Sequence, residues 1–517
     1  MLKQTILTLA VATTLAQAVF VPGKILWQED FKTEDLLKTG RMDGGKYKWL
    51  PKGSKDGKSG AVEFTVKKLG GSSWLHIPLD PKMFHGNISI EAYIRGEGIK
   101  VEGPSHLGPK FSLSHKHASG ISKWPNLQMG YTGTYDWKFA CYYVPLGDDC
   151  TELTLHLGLQ SAQGTIAISN IVVREMVDVD PKDAPKPPPN LDAAKIPRGD
   201  GRGSQYRGVM SGSDLSSDAF ATLHQWGANL MRYQVVAPGK KAKEAISTPE
   251  KYLEWIDREI KKLDTILPRA QANDIKIIID LHTGPGTTIT KVASNEITEK
   301  TSVETLCQAW AKFAQHYRGN QNIYGYDLLN EPQMSDYNAK TKNQWQQIVE
   351  QVVATIRKID PDTPILVAWH QQKAFVQNAG NIIYTPHYYT PHMYSHQGVL
   401  YKDFPCAYPG WINGEYWDKE RIRLNLKSVI ELQKKYNLRI CVGEFGASVW
   451  CTIGREKYIE DCISIFEEYG WDWCYHAFRE WPGWSAEHVL GPDRKIIKQP
   501  DNPLERTLKK AFKAPRK

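Results

Sequence analysis

The chain has 517 residues, of which 41% are hydrophobic and 24% charged, and its formal net charge of +8 is spread along the sequence apart from a basic C-terminal tail. These proportions are typical of a soluble globular protein, and the length predicts about two or three compact units. Because the positive charge forms no stripe and accompanies no nucleic-acid-binding motif, we do not expect a nucleic acid as partner. Eight cysteines are too few in so long a chain for a disulfide framework. Cys141 and Cys150 bracket a predicted hairpin and are the first candidates for a disulfide.

Residues 1–18 have the order of a secretory signal peptide. Lys3 precedes an apolar stretch from Ile6 to Ala16, and Ala16 and Ala18 are the small residues of a cleavage site. The stretch is shorter than the roughly 20 apolar residues of a membrane-spanning helix. We therefore expect cleavage near Ala18, a secreted or periplasmic protein, and no stable insertion in a membrane.

Two segments of different pattern follow the signal peptide. Residues 22–176 contain short alternating strands and Gly-rich turns, which predict an all-β sandwich of the jelly-roll type. Residues 177–198 include the segment Val177–Pro189, whose five prolines and alternating charges are typical of a semi-rigid linker.

From residue 199 to 517, strand-like runs alternate with helical patterns. Thr248 and Pro249, for example, are a helix N-cap and a helix-starting proline. The eight runs cover residues 207–210, 228–235, 275–283, 323–331, 364–371, 382–389, 439–446 and 472–481. Eight such units predict a (β/α)8 TIM barrel, an α/β fold whose active site lies at the C-terminal ends of the strands. A doubly wound open sheet is the alternative, and the lack of a Gly-rich phosphate loop after an early strand argues against it.

Two glutamates, Glu331 and Glu444, end apolar runs that are typical of buried strands. A lone buried carboxylate is costly unless it is paired or hydrogen-bonded, so two of them at strand ends predict a functional site. Cleavage of a glycosidic bond is the chemistry that most naturally uses two such carboxylates. The other residues at predicted strand ends are also polar or aromatic: Arg232, His282, Asn330, Trp369, His387, Tyr389 and Trp481.

These residues follow one another along the chain in an order that resembles glycoside hydrolase family 5, the cellulase-type family of retaining barrel glycosidases. The resemblance covers roughly residues 200–500. The matching motifs are Arg232 on strand 2, Asp280-Leu-His282 on strand 3, Asn330-Glu331-Pro332 closing strand 4, His387-Tyr-Tyr389 on strand 6, and Gly443-Glu444-Phe445-Gly446 closing strand 7. The resemblance implies hydrolysis of β-glycosidic bonds by double displacement. It also implies a polysaccharide or oligosaccharide substrate and no cofactor.

The resemblance further implies a role for individual residues. Glu444 would be the nucleophile and Glu331 the general acid and base. Arg232 and Tyr389 would hold the Glu444 carboxylate, and Asn330 would contact the sugar 2-hydroxyl. The remaining expectations are His282 and His387 in the hydrogen-bonded floor, Trp481 or Trp484 beneath the reacting sugar, and further subsites at Trp369, Trp411, Trp450 and Trp484.

Several alternatives stay open at this level. A transglycosylase of the same fold and a barrel that binds carbohydrate with little or no catalysis are the other functions considered. The sequence has no metal-binding motif such as His-Glu-x-x-His, so we expect no catalytic metal. The substrate could be a β-glucan, a β-mannan or a related glycan, and endo or exo action would depend on the loop at 393–417. Residues Thr132–Lys138 resemble the jelly-roll modules attached to glycoside hydrolases, which would bind sugar through Trp74 or Trp124 or be merely structural. The oligomeric state is not readable.

Overall fold

The computed structural model describes residues 19–101, 106–125, 131–188, 191–212, 215–237, 239–285, 295–296, 300–333, 344–369, 380–401 and 405–516. The expected signal peptide lies outside these residues, as do residues 189 and 190 of the expected linker. The chain divides into two compact units, one formed by Met1–Pro187 with Lys402–Tyr416 and the other by Pro188–Tyr401 with Trp417–Lys517.

The N-terminal unit is an antiparallel β-sheet domain, as predicted. Its strands are Val19–Glu29, Arg41–Asp43, Tyr47–Leu50, Ala61–Leu79, Asn87–Val101, Gly108–His117, Ser122–Lys123, Gly133–Pro145 and Cys150–Val179, with short helical turns at Asp35–Lys38, Pro81–Met83 and Pro181–Asp183. All nine strands join one sheet, because the long strand Cys150–Val179 pairs in turn with four others. Alternate residues such as Leu75, Phe111 and Leu157 are fully buried in one apolar core.

The expected disulfide between Cys141 and Cys150 is wrong, since both cysteines are free. The strands that carry them do not form a hairpin with each other. The strand Asn87–Val101 lies between them, so that Cys141 is opposite Glu91 and Cys150 is opposite His117. Strand order, which sequence spacing alone does not set, therefore keeps the two thiols apart.

The second unit is a closed parallel barrel, which confirms the predicted fold. Barrel strands 1 to 8 are, in order, Arg207–Ser211, Leu230–Val235, Lys276–Leu281, Ile323–Asp327, Ile365–Ala368, Ile382–Thr385, Arg439–Phe445 and Asp472–His476. Each pairs in parallel with its neighbours, and strand 8 pairs with strand 1 to close the ring. Strands 2 to 8 each contribute one buried residue to a single apolar cluster: Leu230, Ile278, Tyr324, Leu366, Ile383, Cys441 and Cys474. The interior is thus a packed core, and chemistry is confined to the strand ends.

The helices of this unit are Leu191–Ala194, Ala219–Trp226, Gly239–Glu244, Pro249–Gln271, Lys300–Tyr317, Gln344–Arg357, His392–Ser395, Lys419–Asn425, Lys427–Tyr436, Arg455–Tyr469 and Pro503–Phe512. Pro249–Gln271 starts as predicted, because the Thr248 hydroxyl accepts a hydrogen bond from the Lys251 N–H. Short strand pairs join Asn295–Glu296 to Pro332–Gln333, Gly410–Ile412 to Glu415–Trp417, and His488–Leu490 to Ile496–Lys498. Within the described residues, no helix combines the length and the apolar character needed to cross a membrane.

Strand register brings the polar residues together at the carboxyl end of the barrel. Asp280 lies directly beside Asp327, and His387, in the two-residue extension His387–Tyr388 of strand 6, lies directly beside Glu444. Two neighbouring buried carboxylates repel each other, so this arrangement requires a cation close by.

Candidate active site

Arg232, on barrel strand 2, is that cation, and its side chain is completely buried. Its Nε donates to Asp327 Oδ2 at 2.8 Å, and its Nη2 lies 2.9 Å from Asp280 Oδ1. Its Nη1 donates to Glu444 Oε1 at 2.7 Å. One guanidinium therefore pairs with carboxylates from strands 3, 4 and 7, a task for which its planar set of five N–H donors is suited.

Asn330 and His282 are fixed by the same network. Asp280 Oδ2 lies 2.7 Å from His282 Nδ1, and His282 Nε2 lies 3.3 Å from Asn330 Nδ2. The other side of the Asn330 amide accepts from Arg232 Nη2 at 3.1 Å. The orientation of the Asn330 amide is thus set from both sides.

Glu444 is 5% exposed and accepts hydrogen bonds at both carboxylate oxygens. Arg232 donates to Oε1, and the Tyr389 hydroxyl donates to Oε2 at 2.8 Å. Burial alone would raise its pKa, but the charges of His387 and Arg232 outweigh burial and hold the pKa of Glu444 well below its usual range. Glu444 is therefore ionised and held in one orientation.

Glu331 lies four residues beyond the end of barrel strand 4, with a left-handed φ of 39° and 36% of its side chain exposed. Its Oε1 lies 3.0 Å from His387 Nδ1, and the same nitrogen lies 3.6 Å from Glu444 Oε2. Burial lowers the pKa of His387, but Glu444 and Glu331 more than offset this and raise it. One carboxylate oxygen of Glu331 lies within 4.8 Å of one of Glu444. Glu331, Glu444 and His387 thus face one small space from different strands.

Tyr389 also connects Glu444 to a second set of hydrogen bonds, which involves His476 and Glu480. The Tyr389 hydroxyl lies 2.6 Å from His476 Nδ1, and His476 Nε2 lies 2.7 Å from Glu480 Oε2. Gln234 Nε2 donates to Glu480 Oε1 at 3.5 Å. His476 is the last residue of barrel strand 8. The tryptophan expected beneath the reacting sugar, Trp481 or Trp484, comes a few residues later in the sequence.

Trp484 and Trp481, the two tryptophans predicted beneath the reacting sugar, differ in their burial and in their ring contacts. Trp484 is buried against the site, with its ring centroid 5.7 Å from Tyr389 and 5.4 Å from His476. Trp481 is 43% exposed and pairs with Trp450 at 5.9 Å.

The structure gives local contacts for two further tryptophans that were predicted as subsites. Trp369, at the end of barrel strand 5, packs edge-on against Tyr384. Trp411 belongs to the N-terminal compact unit, where its indole donates to the Pro185 carbonyl at 2.7 Å. In the same unit the Gly414 N–H donates to the Tyr143 hydroxyl, so residues 405–416 pack with the β-sheet domain although they follow barrel strand 6 in sequence.

Sequence reasoning missed three polar residues of the site. Asp327 and His476 end their barrel strands as charged or titratable residues in apolar runs, which is the signal that identified the two glutamates. Glu480 was given no role, because its partner His476 was not recognised.

The donor set Glu331, His387 and Glu444 has the chemistry to hold a divalent cation, since one ligand atom from each lies within 4.8 Å of the others. Hydrogen bonds to Arg232 and Tyr389 already account for both oxygens of Glu444. The geometry of the three side chains is therefore explained by hydrogen bonding.

A parallel barrel with two close carboxylates at its carboxyl end defines the class of barrel glycoside hydrolases. The family model for cellulase, glycosyl hydrolase family 5, matches residues 199–480, which is more than half of the chain. The protein belongs to this family.

Known relatives are distant. Endoglucanase C of Acetivibrio thermocellus is 22% identical over 283 residues, which cover 48% of this chain and 79% of that protein. A beta-xylosidase of Phanerodontia chrysosporium is 25% identical over 240 residues, 43% of this chain and 48% of its own. Among solved structures, that of Thermotoga maritima Cel5A with cellobiose is 19% identical and covers 59% of this chain and 97% of its own, with a TM-score of 0.46.

Proposed function

We propose that the barrel hydrolyses β-glycosidic bonds of a polysaccharide or oligosaccharide with retention of anomeric configuration. The observation that carries this proposal is the pair of carboxylates. Glu444 is buried and ionised, Glu331 is partly exposed, and one oxygen of each lies within 4.8 Å of the other. Retaining enzymes hold their carboxyl groups about 5–5.5 Å apart, whereas inverting enzymes need about 6.5–9.5 Å to admit a water.

In the first step a Glu444 oxygen attacks the anomeric carbon. The bond from that carbon to the leaving oxygen breaks, and the leaving oxygen takes the proton of Glu331. Hydrogen bonds from Arg232 and Tyr389 keep Glu444 charged and aimed until the ester forms. Asn330, held by Arg232 and His282, contacts the 2-hydroxyl, where a hydrogen bond strengthens toward the oxocarbenium-like transition state.

In the second step Glu331 acts in reverse. It removes a proton from water as the water oxygen attacks the anomeric carbon, and the bond to Glu444 breaks to restore its carboxylate. His387, 3.0 Å from Glu331 and 3.6 Å from Glu444, lies between the two carboxylates and offsets their mutual repulsion.

For the substrate we propose a β-1,4-linked glucan, with β-mannan as the alternative, since the curated relatives include endoglucanases. Trp450 and Trp481 supply an aromatic platform for a further sugar. A Cβ at Gly398 would lie 2.1 Å from the Trp450 ring, and one at Gly483 would lie 2.3 Å from the Trp481 ring. Glycine at both positions lets the indoles lie flat against backbone, which suits stacking on a pyranose face.

The test uses Glu331→Gln and Glu444→Gln with a panel of β-glucans, mannans and aryl glycosides. Each variant should lose nearly all hydrolysis, while Glu431→Gln, at an exposed glutamate paired with Lys427, should keep it. Proton NMR of the first product should show the β-anomer. An α-anomer, or unchanged hydrolysis in both variants, would overturn the proposal.

The same assay separates the alternatives. A transglycosylase would form longer products when acceptor sugars are added, because a sugar hydroxyl would replace water in the second step. A barrel that only binds carbohydrate would retain the substrate on a column and release no product.

We also propose that the N-terminal domain binds glycan and that the protein is exported. Trp124 is 57% exposed, and its ring centroid lies 5.0 Å from the buried His156, so one indole face is supported and the other is open for stacking. Trp124→Ala should weaken binding to insoluble glycan and leave hydrolysis of a soluble oligosaccharide unchanged. Equal binding by the wild type and the variant would exclude this role.

Export predicts a mature N-terminus near Val19 in secreted or periplasmic fractions.

A further inference from the structure

The hydrogen bonds around His476 fix the direction of its contact with Tyr389. The Tyr389 hydroxyl has a single proton, which it donates to Glu444 Oε2 at 2.8 Å. The 2.6 Å contact between Tyr389 and His476 must then be donated by His476 Nδ1. An ionised Glu480 can only accept, so the 2.7 Å contact to His476 Nε2 requires a second ring proton.

We infer that the His476–Glu480 pair holds one titratable proton that directs the Tyr389 hydroxyl onto the nucleophile, which makes both residues positioning residues for the double displacement. The inference rests on the proposed function. With the proton present, the pair is neutral overall and the chain runs in one direction, from His476 through Tyr389 to Glu444. This direction is the same whether the proton between His476 and Glu480 is bound to His476 Nε2 or to Glu480 Oε2.

Loss of that proton removes the hydrogen bond that His476 Nδ1 donates to Tyr389. The remaining ring proton stays on Nε2, where it faces the Glu480 carboxylate, and Nδ1 becomes an acceptor. Tyr389 then has one proton and two acceptors, His476 and Glu444. The pair also acquires a net negative charge close to Glu444, which disfavours the ionised nucleophile.

The surroundings of His476 support a retained proton. The charged and titratable groups that face it are Arg232, Tyr389, His396, Glu444 and Glu480, and the Trp484 ring stacks on it. Burial lowers the pKa of His476, but Glu480 and then Glu444 outweigh burial and the repulsion from Arg232, so the pKa is raised. A group whose pKa is raised keeps its proton to higher pH and loses it on the alkaline side.

The pair also accounts for Glu480, the third glutamate of the site. Glu480 has 30% of its side chain exposed and receives Gln234 Nε2 on its second oxygen. It does not contact either Glu331 or Glu444 in the hydrogen bonds of the described residues. Its hydrogen-bonded connection to the nucleophile runs through His476 and Tyr389.

The test is the pH dependence of kcat/KM for a β-glycoside with a dinitrophenolate leaving group. Such a group departs without protonation, so the alkaline limb no longer reports the proton of Glu331. Glu480→Gln removes the anion that stabilises the proton, and it should move the alkaline limb to lower pH by about one unit or more. In His476→Asn, the amide nitrogen takes the place of Nδ1 as a donor that cannot titrate. The limb due to the pair should disappear there, and Glu480→Gln should add no further shift.

Glu487→Gln is the matched control. Glu487 is a buried carboxylate of the same loop, paired with Arg479 at 2.9 Å, and its loss should affect stability without moving the pH profile. Coincident alkaline limbs in the wild type and Glu480→Gln would overturn the inference. Should Glu480→Gln fail to fold, an alkaline limb in His476→Asn identical to that of the wild type would overturn it as well. A wild-type protein that cleaves no glycoside would instead refute the proposed function.

Discussion

Replacing Arg232 by leucine should destabilise the barrel strongly, and more at pH 7 than at pH 5. The guanidinium and its partners Asp280 and Asp327 are fully buried, and Glu444 is nearly so. Removing one member of a buried ionic network commonly costs about 3–5 kcal/mol, because charges are left without a partner. Three carboxylates share this cation, so we expect a loss at the upper end of that range, about 5 kcal/mol.

The pH dependence follows from the carboxylates. Even in the wild type, burial and the neighbouring Asp280 overcome the opposing charge of Arg232 and raise the pKa of Asp327 to about 6. Without Arg232, a positive charge that lowers the pKa of Asp327 and of Glu444 is lost, so both pKa values rise in the folded state. Protonation then favours the fold, so the destabilisation is partly relieved as pH falls and grows as pH rises.

The assay is calorimetric unfolding at pH 5 and pH 7. Arg232→Lys keeps the charge but cannot reach three carboxylates at once, so its loss should be intermediate. Arg439→Leu removes an exposed arginine bonded to Asn381 and should change stability by no more than about 0.5 kcal/mol. The reasoning fails if Arg232→Leu unfolds within about 0.5 kcal/mol of the wild type, or if its losses at the two pH values are equal.

Three further predictions concern activity. Tyr389→Phe removes a hydrogen bond to an ionised carboxylate and should lower kcat/KM about tenfold to a hundredfold in steady-state assays; an unchanged value would exclude its contribution. Trp481→Ala should raise KM for long oligosaccharides and leave a short aryl glycoside unaffected, so equal effects on both would place Trp481 elsewhere. Addition of a chelator should not alter the rate, because both oxygens of Glu444 accept from protein groups; loss of activity that divalent ions restore would contradict this.

The barrel was predictable because its strands are apolar runs buried on both faces, separated by amphipathic helices. All eight predicted strands are present. Strand 4 was expected to continue to Glu331, whereas it ends at Asp327 and Glu331 follows in a left-handed conformation. The separation of Cys141 from Cys150 could not be predicted, since it depends on which strands are neighbours across the sheet.

The site was predictable in its residue types and less so in its contacts. Charges within or just after apolar runs identified Arg232, Glu331 and Glu444 without any geometry. Two contacts depend on strand register and side-chain direction. Arg232 also binds Asp327, and His476 links Tyr389 to Glu480. Neither is contained in local sequence patterns.

The central claim, that Glu444 is the nucleophile, is tested most directly by trapping the covalent intermediate. An activated 2-deoxy-2-fluoro derivative of the hydrolysed glycoside slows both steps, and a good leaving group lets the ester accumulate. Mass spectrometry of the digested protein should find the sugar on the peptide that contains Glu444, and no label in Glu444→Gln. A label on Glu331 or Glu480, or a fully active protein that accumulates no label, would contradict the account.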